Sequence, residues 1–349
     1  MKLMRTTSIL AGLLLAVASF SSAACKKKED DKKKTTKPAG KKKTPAADKK
    51  KGTADTAKKA VADGDKKKAA DPKPTPVAAA GDGYAIKFSR EMKVGFRYKL
   101  VSNGKREQKV QANGKPAPGS GGLSWAYEAE VTVKGVDAKG RVNAEDHKIV
   151  KFEVTAGGAK KSPIEKDKVV VATVKDGKEV FMIDGKEASK EAADLMGEVA
   201  DLQTDDGANE DELFGTKDKK KVGDSWDVNA ALLVKDFGSK LKDASLPLKV
   251  ENTSGKVTLV SASEMGGEKG LNFKVEMKMK NVAPKMGPIK ATKGNIDVSM
   301  EGWLSVDPTS MKTMKLTRKM VMHVEGSAGP AQVVVDVTQS ATETKTAIK

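Results

Sequence analysis

The chain has 349 residues, 38% of them hydrophobic and 4% aromatic, and its 65 Lys and Arg against 47 Asp and Glu give a formal net charge of +18. One cysteine and two histidines exclude a disulfide-stapled scaffold and any metal centre built from Cys/His clusters. The apolar fraction is too large for a wholly disordered chain, and the length suits one or two domains with a sizeable core.

The first segment reads as an address. Lys2 and Arg5 give a short positive start, Ile9 to Ala18 an apolar run, and Ser21-Ser22-Ala23-Ala24-Cys25 a small-residue end. That is the layout of a secretory signal peptide over residues 1–24, too short for a membrane span. An ordinary cut after Ser22-Ala23-Ala24 would leave Cys25 as a lone thiol in an oxidising compartment, an awkward group to keep. The segment resembles the lipobox of bacterial lipoproteins, departing from it at Ser22, where leucine is usual. The resemblance implies that Cys25 is acylated, becomes the mature N-terminus and anchors the chain to a lipid bilayer. Each buried methylene of such an anchor contributes about 0.8 kcal/mol. Lys26 follows the cysteine, not the aspartate that marks inner-membrane retention in enteric bacteria, so the resemblance points to the outer membrane.

Residues 25–81 form a tether. Residues 26–80 hold 19 lysines and 8 acidic residues, no aromatic residue, and only Val61 and Val77 as large aliphatics. Such a segment cannot bury enough apolar surface to offset its ordering entropy, so it is expected to be disordered, stiffened at Pro72, Pro74 and Pro76. Removing its +11 and the +2 of Lys2 and Arg5 from +18 leaves about +5 on the rest. The body is therefore only mildly basic, and no nucleic acid partner is expected, because basic residues are not interleaved with aromatics. The tether reads as a soluble spacer, and its polycation also suits anionic lipid or cell-wall polymer.

From Tyr84 the pattern changes to strands. Leu123 to Val133 alternates over its whole length, with its large apolar groups on one face. Lys168–Lys175 and Lys178–Asp184 flank Asp176-Gly177, a hairpin signal. Val257–Val260, Leu271–Val282, Ile296–Val306, Met311–Val324 and Val333–Val337 continue the series. Helices are expected at 186–202 and at 229–241, the latter capped by Asp227 or Asn229. The spacing predicts a mainly β, antiparallel fold in two related β units, residues 82–218 and 219–349, sandwich or half-barrel-like, each unit carrying one helix.

A short echo supports relatedness: Lys93-Val94-Gly95-Phe96-Arg97-Tyr98 recurs as Lys221-Val222-Gly223-Asp224-Ser225-Trp226. Glycine lets the chain bend into a strand and the aromatic fills the core just after it; chance similarity is the competing reading of so short a motif. Val222-Gly223-Asp224-Ser225-Trp226 also resembles a segment of secreted bacterial proteins, many of them lipoproteins, whose domains have no known function. That resemblance implies a β-rich periplasmic domain and no activity.

The catalytic inventory is poor. With Cys25 assigned to the anchor no thiol nucleophile remains, and no zinc-protease, nucleophile-elbow or phosphate-loop motif occurs. His147 and His323 each read as surface histidines. The acidic run Asp201 to Glu212 invites calcium, but Gly207 at the sixth loop position puts leucines at positions 1 and 12, so a solvated loop is expected. No enzyme, metal or cofactor is expected. Met314, Met320 and Met322 share a strand face, open to three readings: a soft core, a groove for a lipid or other hydrophobic ligand, or thioether binding of copper(I). Arg318 has the same parity, which puts a charge on that face. The expected function is a non-enzymatic, lipid-anchored envelope protein that binds another envelope component. The alternative is a carrier of a hydrophobic ligand at Met314, Arg318, Met320 and Met322.

Overall fold

The computed structural model describes residues 75–76, 81–200, 202–203, 207–240, 248–286, 288–311 and 313–348. The signal segment, Cys25 and nearly all of the tether lie outside them.

Alternating sequences become long strands. β1 (Arg97–Ala112), β2 (Gly121–Val136), β3 (Val142–Ala156), β4 (Val169–Lys175) and β5 (Lys178–Ile183) form one antiparallel meander. A second runs through the short β6 (Ser225–Asp227), β7 (Thr253–Met265), β8 (Glu268–Met279), β9 (Ile289–Ser305), β10 (Thr313–Ala328) and β11 (Ala331–Ala347). β11 then pairs with β1 from Val333↔Ala112 to Ala347↔Tyr98, so both meanders lie in one sheet, ordered β7-β8-β9-β10-β11-β1-β2-β3-β4-β5. The mainly antiparallel β expectation holds, with both meanders hydrogen-bonded into one sheet. Thr75–Pro76, at the end of the tether, pairs with β7 at Glu264 and Ser263.

The turns follow their chemistry. Asp176 and Gly177 have φ of 51° and 71°, the left-handed pair that a two-residue hairpin demands. The echoed motif is built twice in the same way. Gly95 and Gly223 have φ of 86° and 95°, Phe96 N donates to Lys93 O as Asp224 N does to Lys221 O, and each glycine N–H reaches the next strand, at Val133 O and Leu259 O. A positive φ at the third turn position is what reserves it for glycine.

One face of the sheet is covered by three short helices and the strap 84–92. α1 (Lys190–Met196) starts at Ser189, whose hydroxyl accepts from Ala192 N, and α3 (Ala230–Lys240) is capped by Asn229, which accepts from Leu232 N at 3.1 Å. The helix expected at 186–202 is shorter: Lys186–Glu187 pair with β5 instead, and the chain turns after Met196. Leu195, Val199, Ala200 and Leu202 are nonetheless all buried, so the apolar spacing reported burial beyond the helix itself. A third helix, α2 (Glu210–Phe214), forms inside the acidic run, because Asn209 and Glu212 make a reciprocal capping box. The strap lays Phe88 against Phe273 of β8 and Phe214 of α2, at ring-centroid distances of 4.7 and 6.2 Å. Burying a side chain of this size contributes about 1.5–3 kcal/mol. Buried apolar residues of both meanders join one core cluster, Met265 and Trp303 excepted.

Candidate functional site

Cys25 lies outside the described residues. Met314, Met320 and Met322 all point to the covered face and are at most 3% exposed, inside the core cluster. Arg318 shares that face, as its parity implies, because the β10–β11 register runs without a shift there. Its charge is met by Glu343 of β11 at 3.3 Å and Glu198 at 4.0 Å, and its Nη2 donates to Glu198 O. Gln339 Nε2 donates to Glu198 Oε2 at 3.0 Å, so the turn after α1 is pinned over the middle of the sheet. Neither the cavity nor the surface depression described below is lined by the three methionines.

Across the β11–β1 seam the covered face becomes polar. Tyr98 Oη donates to Glu145 Oε1 at 2.6 Å, and His147 Nε2 lies 3.2 Å from Glu145 Oε2. Tyr127 Oη lies 2.8 Å from His147 Nδ1. His147 is thus held between the Tyr127 hydroxyl at Nδ1 and the Glu145 carboxylate at Nε2. Lys345 Nζ stands 5.2 Å from the centroid of the Tyr98 ring. Burial alone would raise the Glu145 pKa, but the hydrogen bond and charge of His147, the charge of Lys345 and the Tyr98 hydroxyl hold it below the ordinary carboxylate value. Glu145 is thus a buried anion whose two oxygens are fixed from behind.

This cluster faces a cavity of about 310 Å³ between the sheet, the loop 137–141, the strap and α2. Its lining includes Arg90, Arg141, Glu145, Asp211, Asp236 and Lys345. The outer charges are engaged structurally: Arg141 pairs with Asp137 at 2.6 Å, and Asp211 Oδ1 accepts from Phe88 N. Arg90 donates to the carbonyls of Lys87, Ser89 and Ser305; burial lowers its pKa against the raising charges of Asp211, Asp307 and Glu268. A second depression, on the opposite face of the sheet, is lined by Ser261, Ser263, Asn272, Trp303 and Thr317. Trp303 there is only 2% exposed and donates to Ser263 Oγ.

The two histidines part company. His323 is 38% exposed on the open face, between Asp336 at 2.7 Å and Glu325 at 3.0 Å. His147, expected at the surface, is fully buried. The signal that could have placed it is parity: Glu145 and His147 fall in step with buried Ile149. Tyr98 belongs to the echoed motif, but its carboxylate partner is on a strand two away and no local pattern indicates it.

No family model matches the chain, and no curated protein does. Among solved structures the chain is similar to an outer membrane channel from Pseudomonas putida F1, with 8% identity over 74% of this chain and 97% of the channel. The TM-score is 0.19, and a value that low assigns neither fold nor function. Among the described residues no helix is long and apolar enough to cross a membrane, and no group of three His, Cys, Asp or Glu is placed to hold a metal ion.

Proposed function

We propose that this protein is a lipid-anchored component of the bacterial cell envelope, held in the outer membrane by acylated Cys25, whose β body is a non-enzymatic binding module for another envelope component. The observation that carries the reading is the position of Cys25. The sole cysteine closes a signal-like segment and precedes a lysine-rich stretch with almost nothing to fold around, while among the described residues the buried core starts at Ile86. Several acyl chains on one residue give durable anchoring where a single chain does not. The polycationic stretch adds attraction to anionic lipid or cell-wall polymer within a Debye length of the surface.

The alternative, a carrier of a hydrophobic ligand along the Met314–Met322 face, requires the covering turn after α1 to lift, because those methionines are buried beneath packed structure. Native mass spectrometry separates the two: a co-purifying lipid supports the carrier, and a consistently empty chain excludes it. For the anchor, Cys25→Ser is expected to abolish metabolic labelling with a fatty acid and release the chain from membranes. A wild type that takes no label, with a mutant that stays membrane-bound, refutes it.

A further inference from the structure

An edge strand is where a sheet can add a strand from another chain, and this sheet covers its edges with short segments of its own. At the β5 edge, Lys186–Glu187 pair with Ile183 and Met182, and Ala188 N donates to Phe181 O. At the β7 edge, β6 pairs with Lys256 to Thr258. The turn before β6 extends that cover by one residue, since Gly223 N donates to Leu259 O and Leu259 N donates to Asp224 O. There the cover stops, while β7 runs on to Met265. Val260 is 50% exposed, and the stretch from Val260 to Met265 carries a single charge, Glu264. Among the described residues, the backbone paired with the outer edge of this stretch is Thr75–Pro76, opposite Glu264 and Ser263.

The sequence of the incoming segment suits an outermost strand. Pro76 has no backbone N–H, so Thr75 is the residue of the pair that can donate to β7. Successive residues of a strand turn their N–H groups to opposite sides, and Pro72, Pro74 and Pro76 alternate with Lys73 and Thr75. A strand continued back from Thr75 in this register aims the donors of Lys73 and Thr75 inwards and aims none outwards. Proline is tolerated in a sheet at just such an edge, with its donorless side towards solvent. The same parity sets Lys73 diagonal to Glu264, within reach of a long side chain, so the one charge of the stretch meets its opposite.

We propose that Pro72–Pro76 is an edge cap. The end of the tether adds to β7 as a strand whose outer side offers no donor, and so keeps that edge from pairing with a second copy of this chain. The tether is then pinned to the body at its end, and the free spacer stops short of Pro72. The cap needs no acylation of Cys25.

Hydrogen–deuterium exchange of the full chain in detergent, at a dilution that keeps it monomeric, reads the pinning. Slow exchange is expected within Val260–Met265, and Thr75→Pro, which removes the inward donor, is expected to speed it at least tenfold. Unchanged exchange over Leu271–Val275 of β8 shows that the body stays folded. Pro72→Thr, Pro74→Thr and Pro76→Thr together return donors to the outer side. That variant is expected to sediment as a dimer in density-matched detergent, at concentrations where wild type is a monomer. Fast exchange of Val260–Met265 in wild type, or no acceleration by Thr75→Pro, overturns the pinning. A monomeric triple variant overturns the blocking role, and a dimeric wild type assigns the edge to a second copy instead. Labelling of Cys25 is unaffected by any of these outcomes.

Discussion

The two halves of the sheet solve the same burial problem with different side chains. On β8, β9 and β10 the covered face is Met, Val, Ile and Leu with Phe273 and one charged residue, Arg318. On β1, β2 and β3 it carries Tyr98, Ser102, Tyr127, Glu145 and His147 among its apolar residues. Methionine fills irregular space softly and specifies little, whereas a buried hydrogen-bonded network must be satisfied at every atom and so fixes one arrangement. The difference teaches that the second half packs mainly by volume, while the first keeps groups with chemistry and places them against a cavity.

Breaking the one charge in the apolar half has the largest effect. Arg318→Leu leaves Glu343 and Glu198 without their cation, and about 3–5 kcal/mol of stability is expected to go, read by urea unfolding. Retention of wild-type stability would mean that those carboxylates are solvated.

Glycines sharpen the contrast with opposite signs. A Cβ on Gly104 of β1 would fall inside the Trp125 ring that packs over it, so Gly104→Ala is expected to cost about 1–3 kcal/mol. A Cβ on Gly302 of β9 meets Leu316 Cδ1 at an ordinary 3.6 Å, and Gly302→Ala is expected to stabilise by about 0.4–1 kcal/mol by restricting the unfolded chain. Equal effects from the two would erase the distinction.

Tyr127→Phe removes the hydroxyl at His147 Nδ1 and is expected to cost about 1 kcal/mol, alongside a change in the His147 ring resonances. An unchanged His147 environment would show that the hydroxyl does not orient it.

The smallest effect belongs to the open face. Hydrogen bonds donated to Asp336 and then to Glu325 raise the His323 pKa against its partial burial. A raised folded value means the stabilisation is fully present below the unfolded His pKa and is lost as pH rises through the folded one. The Glu325 carboxyl, lowered chiefly by its bond to His323, contributes only above its unfolded pKa and loses that contribution as pH falls through the folded value. Wild type should therefore exceed His323→Gln in stability near about pH 6 and match it near about pH 9, with a difference of about 0–1 kcal/mol for so exposed a cluster. A pH-independent difference contradicts this.

Much of the fold was legible because alternation reports which face a side chain takes. The parity of Arg318, the Asp176-Gly177 hairpin and the antiparallel class all follow from it. Alternation does not report neighbours. The β11–β1 seam joins residues more than two hundred positions apart, as in Val333↔Ala112, and no local pattern announces it. The polar cluster was missed for the same reason, since Glu145, Tyr98 and Lys345 come from three strands. The short α2 was hidden because acidic residues suggest solvent until Asn209 and Glu212 are recognised as a cap.

The envelope function depends most on where the chain is held, and the mature N-terminus reads that directly. Mass spectrometry of the protein extracted from membranes is expected to find an N-terminal peptide that begins at Cys25 and is heavier by its acyl chains. A peptide beginning elsewhere, or one with Cys25 unmodified, would contradict the anchor and with it the envelope function.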